Sequence, residues 1–159
     1  MSSMERNSQI RRKISVVFFM AYICVLVYFL FFSEIMGRQV SDEYHLNLIP
    51  FKEIKRFCNG INKLGKHVVW MNVAGNIAAF IPFGLFVMPV SGRKINFAET
   101  VMLTFDVSIC VEIIQLVTRV GSFDVDDLIL NTIGGVIGAS MYMVYVIIER
   151  KRTDGKVQI

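Results

Sequence analysis

Four apolar runs, parted by short clusters of charge and glycine, set the pattern of this chain. They cover residues 14–32, about 68–90, about 97–117 and about 128–148. Each has the roughly 17–25 residues that a helix needs to cross about 30 Å of hydrocarbon. The first, ISVVFFMAYICVLVYFLFF, contains no charged residue, whereas the third carries Glu99, Asp106 and Glu112. The pattern predicts an all-α membrane protein: a compact bundle of four transmembrane helices forming one integral membrane domain over residues 1–159. A long loop, about residues 33–67, joins helices 1 and 2, and two short loops complete the chain. Residues 14–32 follow Arg11, Arg12 and Lys13 much as a signal peptide's core follows its basic segment. The run exceeds the usual length of about 7–15 residues, however, and no small-x-small cleavage site follows, so a retained anchor is expected.

Composition sharpens this reading. Apolar residues make up 54% of the chain and aromatic residues 12%, which is too apolar for an ordinary soluble domain with a single core. The net charge of +4 would suggest nucleic acid in a soluble protein. Here the basic residues gather at the ends of apolar runs, as membrane-flanking anchors do, so no nucleic-acid partner is expected. Arg6, Arg11, Arg12 and Lys13 precede the first run, while only Arg38 lies in the fifteen residues after it. Arg93 and Lys94 fall in the second loop, and Arg150, Lys151, Arg152 and Lys156 in the tail. Both termini are therefore expected on the cytoplasmic side. The first loop dissents with Lys52, Lys55, Arg56, Lys63 and Lys66, but charge in long loops weighs less. Cys24, Cys58 and Cys110 show no paired spacing, and His45 and His67 stand apart. Neither a disulfide framework, a metal site nor a cofactor is expected.

Polar residues inside the runs are the candidates for function. In this topology Asn72 and Asn76 lie one turn apart in the outer half of span two. Ser108, Glu112, Gln115 and Arg119 form one helical stripe toward the outer end of span three. Asp124, Asp126 and Asp127 open span four from outside, with Asn131 one turn deeper than Asp127. Span three shows why such groups need company: each Leu, Ile, Val or Phe gains about 0.3–0.6 kcal/mol on insertion, whereas a central acid costs about 3 kcal/mol. Its partners are expected among Asn72, Asn76, Arg119 and Asn131. Plainer roles compete. Asp124 and Asp127 suit a helix N-cap and a first-turn carboxylate, Asn72 and Asn76 suit hydrogen bonding between helices, and Glu112 suits an internal pair with Arg119. An ionisable residue inside the membrane is nonetheless a functional-site candidate by default. Gly134, Gly135 and Gly138 read as packing residues that let backbones approach closely. Pro82 removes a donor near the middle of span two and predicts a kink. Asp106 shares a face with Glu99 and suggests a separate proton or ion path.

Three blocks also carry a resemblance: NLIPF (47–51), NVAGNIAAFIPFG (72–84), and EIIQ with GSFDVDDLILNTIGGVIG (112–138). In this order, with Glu112, Gln115, Asp124, Asp127, Asn131, Gly135 and Gly138 at matching spacing, they resemble the VanZ-like family over about residues 46–138. The resemblance adds Asn47 to the candidate residues. It implies a multi-pass protein of the bacterial cytoplasmic membrane, associated with reduced susceptibility to teicoplanin or other lipoglycopeptides. It implies a phenotype and not a reaction.

The leading expectation is a protein without an assigned enzymatic activity. Its outer-leaflet polar site (Asn47, Asn72, Asn76, Glu112, Gln115, Arg119, Asp124, Asp127 and Asn131) engages a lipid-linked cell-wall precursor or the lipid tail of a lipoglycopeptide. The alternative is an intramembrane enzyme acting on a lipid-linked cell-wall substrate, with Glu112 and Asp124 or Asp127 as base and acid. A small proton-coupled transporter using Glu99, Asp106 and Glu112 is a third reading, against which the missing internal repeat counts.

Overall fold

A computed structural model describes residues 3–32, 44–52, 55, 66–92 and 94–157. Four long helices dominate it: α1 (Ser3–Phe31), α2 (Lys66–Val90), α3 (Phe97–Thr118) and α4 (Val125–Val157). Each contains a stretch long and apolar enough to cross a membrane, namely Gln9–Phe31, Asn72–Val90, Phe97–Thr118 and Val125–Arg152. The shortest, of 19 residues, extends about 28 Å at 1.5 Å per residue. Most of the expected loop between the first two spans lies outside the described residues.

Two helices run past the apolar runs that announce them. α1 begins at Ser3 and α4 continues to Val157, because Arg, Lys, Glu and Gln are good helix formers and extend a helix that the membrane has already nucleated. These extensions meet. The Arg11 guanidinium pairs with the Glu149 carboxylate and reaches the Tyr145 hydroxyl, and Arg12 Nε donates to the Val90 carbonyl at 3.1 Å. The start of α1, the end of α2 and the end of α4 thus share one end of the bundle.

Packing between α2 and α4 brings backbones close together. A Cβ on Gly138 would collide with the Ile81 carbonyl oxygen, one on Gly134 with that of Ile77, and one on Gly84 with that of Gly135. Beside this seam lies an apolar core of Leu26, Leu30, Phe80, Phe83, Val87 and Val111, in which the Phe19 and Phe83 rings sit 5.8 Å apart. Helix α2 is continuous through Pro82 and Pro89. Pro82 leaves its turn short of one donor. The carbonyl this frees is that of Ala78, four residues back; at the next residue the Tyr22 hydroxyl donates from α1 to the Ala79 carbonyl at 2.7 Å, tying the weakened turn to the neighbouring helix.

Helix α3 opens with a capping box. Asn96 Oδ1 accepts from the Glu99 amide at 2.9 Å, and Glu99 Oε2 accepts from the Asn96 amide at 2.8 Å. Glu99 therefore closes a helix end. The helix stops at Arg119, which adopts a left-handed conformation with φ 58° and directs its N–H to the Leu116 carbonyl at 3.2 Å. The all-helical expectation gains one small exception: β1 (Leu46–Asn47) and β2 (Phe123–Asp124) form a two-residue parallel pair, Leu46 opposite Phe123 and Asn47 opposite Asp124. Such a pairing joins segments 77 residues apart and leaves no local periodicity to read.

Candidate functional site

At the end of the bundle remote from the termini, the polar residues of α3 and α4 meet the segment around Asn47. Asp124, immediately before α4, is the hub. Its Oδ1 accepts from the Asp126 amide at 2.8 Å, which caps the helix, and from Asn47 Nδ2 at 3.0 Å. Its own N–H donates to Glu112 Oε2 at 3.0 Å. Asp126, fully buried, accepts the Phe51 amide at 2.5 Å. The strand pair sets this arrangement, since its register places Asn47 directly opposite Asp124.

Two turns deeper than Asp124, Asn131 Nδ2 donates to Ser108 Oγ at 2.9 Å. Ile77 lies against Gly134, so buried Asn76 comes to the depth of the Asn131 turn. Gln115 Nε2 donates to the Leu30 carbonyl at 3.0 Å and so satisfies one of the carbonyls that end α1. Glu112, Gln115 and Asn131 are each no more than 2% exposed. Asp127, on the same helix, is buried as well.

Within this network several amide atoms have no hydrogen-bond partner among the described residues: Asn47 Oδ1, Gln115 Oε1 and Asn131 Oδ1, which accept, and Asn76 Nδ2, which donates. A polar atom buried without a partner costs about 1–3 kcal/mol. These four are the network's unmet hydrogen-bonding capacity: three acceptors and one donor.

Two sequence candidates lie off this network. Asn72 is only half-buried, one turn above Asn76. Arg119 turns toward Tyr44, with its guanidinium 4.6 Å from the ring centre and Nη2 at 3.3 Å from the hydroxyl, so it serves the segment before β1. The glycines Gly134, Gly135 and Gly138 lie at the helix seam, where a Cβ on Gly135 would strike Thr104. The three residues of the relay reading divide: Glu99 and Asp106, two turns apart, are both exposed, with Glu99 held in the capping box, whereas Glu112 faces the core.

Sequence reasoning left Asp126 outside the candidate residues. Capping logic assigns roles to Asp124 and Asp127 from local spacing, but the partner of Asp126 comes from residue 51. No signal in the neighbourhood of Asp126 foretells that bond. Among the described residues, no group of three or more His, Cys, Asp and Glu side chains is arranged to hold a metal ion.

Four spanning helices around a buried, mutually bonded polar network define a small multi-pass membrane protein. The VanZ/LLP1 family model matches residues 19–148, and the chain belongs to that family. It is 30% identical over 124 residues to Protein VanZ of Enterococcus faecium, an alignment covering 76% of this chain and 68% of that protein. No solved structure matches it.

Proposed function

We propose that this protein resides in the bacterial cytoplasmic membrane with both termini in the cytoplasm, and that it lowers susceptibility to teicoplanin and related lipoglycopeptides. In this reading the polar network lies in the outer leaflet and engages a lipid-linked cell-wall precursor or the lipid-bearing drug itself. The observation that carries the proposal is the set of buried amide atoms on Asn47, Asn76, Gln115 and Asn131 that have no partner among the described residues. Family membership supports the phenotype. The gathering of Arg11, Arg12, Lys13, Lys94, Arg150, Lys151 and Arg152 toward the end that carries the termini supports the orientation.

Expression in a susceptible host tests the reading through inhibitory concentrations. Teicoplanin's value rises several-fold while vancomycin's, a drug without the lipid tail, moves little. Unchanged values for both drugs would refute it. Asn131→Leu, with membrane abundance checked by immunoblot, abolishes the teicoplanin effect. Glu112→Gln discriminates against the enzymatic alternative, because glutamine keeps the oxygen that accepts the Asp124 amide but cannot exchange a proton at neutral pH. Binding predicts that resistance survives this change. Loss of resistance at normal abundance would favour acid–base chemistry.

A further inference from the structure

The polar network accounts for the inner face of helix α3 and leaves one acid on the outer, apolar face. On the opposite side Leu103, Asp106, Cys110, Ile113 and Val117 recur at alternating spacings of three and four residues, and all five are exposed. That spacing is the seam of a left-handed helix pair. Exposed apolar residues alone would simply face lipid, and their exposure says nothing about a partner. Asp106 is different. It is the tenth residue of the 22-residue helix α3, about 14 Å from one end and 18 Å from the other. Among the described residues it is the one charged side chain facing outward at mid-depth, and no hydrogen bond or ion pair to it is found among them. A carboxyl group in that place strongly disfavours contact with lipid chains and calls for a polar partner at the same depth.

A second copy supplies that partner. All copies insert with one topology, so two α3 helices facing each other run parallel and present Asp106 at equal depth. A two-fold axis along the membrane normal makes the contact self-complementary. We infer that the outward face of α3 is a dimer interface between two copies of this chain, registered by a hydrogen bond in which one Asp106 carboxyl, carrying its proton, donates to a carboxylate oxygen of the other. Leu103, Cys110, Ile113 and Val117 pack above and below that bond as knobs into holes. A buried polar pair inside an apolar seam fixes register and partner number, a role it serves in soluble coiled coils. The inference is independent of the outer polar network and of its ligand.

The native cysteines provide the test. Both Cys24 on α1 and Cys110 on α3 are exposed, but only Cys110 lies on the seam. In membranes from cells expressing full-length protein at low level, copper phenanthroline oxidises facing thiols to a disulfide. The variant retaining only Cys110 (Cys24→Ala, Cys58→Ala) is expected to yield at least five-fold more covalent dimer than the variant retaining only Cys24 (Cys58→Ala, Cys110→Ala). Adding Asp106→Leu, which favours membrane insertion, lowers the Cys110 dimer five-fold or more at equal membrane abundance. Asp106→Asn, which keeps the hydrogen bond, leaves it intact. Equal cross-linking at Cys24 and Cys110, no cross-linking at Cys110, or undiminished dimer in Asp106→Leu would each overturn the inference.

Discussion

Asp124 shows how much a single side chain connects in this protein. It stops the backbone of α4 from ending on a bare amide, holds Asn47 across the strand pair, and presents its own N–H to Glu112. Asp124→Ala removes a helix cap and leaves Asn47 without an acceptor, so a loss of about 2–3 kcal/mol is expected. The drop is read as a lower thermal midpoint of the detergent-solubilised protein. Asp124→Asn, which retains an acceptor, loses much less. Gly138 is critical for a different reason. The atoms its missing Cβ would strike belong to the backbone of α2 and cannot swing aside. Gly138→Ala therefore destabilises by about 1–3 kcal/mol through overpacking, measurable in the same melts. A gain in midpoint for Gly138→Ala would show that the α2–α4 seam is looser than described. The role of Asp124 as a cap follows from its place before an apolar run. Its grip on Asn47 follows from nothing local.

At the scale of the helix, α2 and α1 form a pair that neither sequence predicts alone. Pro82 announces a weak turn in α2, yet the chain keeps it helical, and the Tyr22 hydroxyl provides a donor to that turn from α1. Tyr22→Phe removes this donor while preserving the ring, and a loss of about 0.5–1 kcal/mol follows from the usual worth of one such bond between membrane helices. Hydrogen exchange of the amides around Ala79 and Phe83 would report the same change locally, as faster exchange confined to that turn. Helix α3 divides cleanly into an inner face, with Thr100, Thr104, Ser108, Glu112 and Gln115 buried, and an outer face centred on Asp106. Helical spacing alone places Ser108, Glu112 and Gln115 on one stripe. It also extends that stripe to Arg119, which the structure removes because the helix ends there in a left-handed residue and the side chain swings to Tyr44.

For the whole molecule, the ends of the bundle differ in chemistry: basic side chains and the Arg11–Glu149 pair at one, the carboxylate-rich network at the other. The proposed orientation makes a direct prediction. In a protein otherwise free of cysteine, Ser122→Cys reacts with a membrane-impermeant maleimide applied to intact cells, whereas Lys151→Cys reacts only after permeabilisation. The reverse pattern would place the network in the cytoplasmic leaflet and remove the proposed access to outer-leaflet ligands.

The amino-acid sequence by itself determined four spans, their approximate limits and the family, because insertion into hydrocarbon is decided by length and apolarity summed along a continuous segment. It also determined which faces of α3 and α4 carry polar groups, since helical periodicity is local. Only the tertiary structure decided which polar groups meet: Asn47 with Asp124, Phe51 with Asp126, Gln115 with the end of α1, and Tyr22 with the turn at Pro82. Each of those bonds joins residues 57 to 85 positions apart. A hydrogen bond depends on a distance of about 3 Å and on direction, and over such separations both are set by how the helices pack.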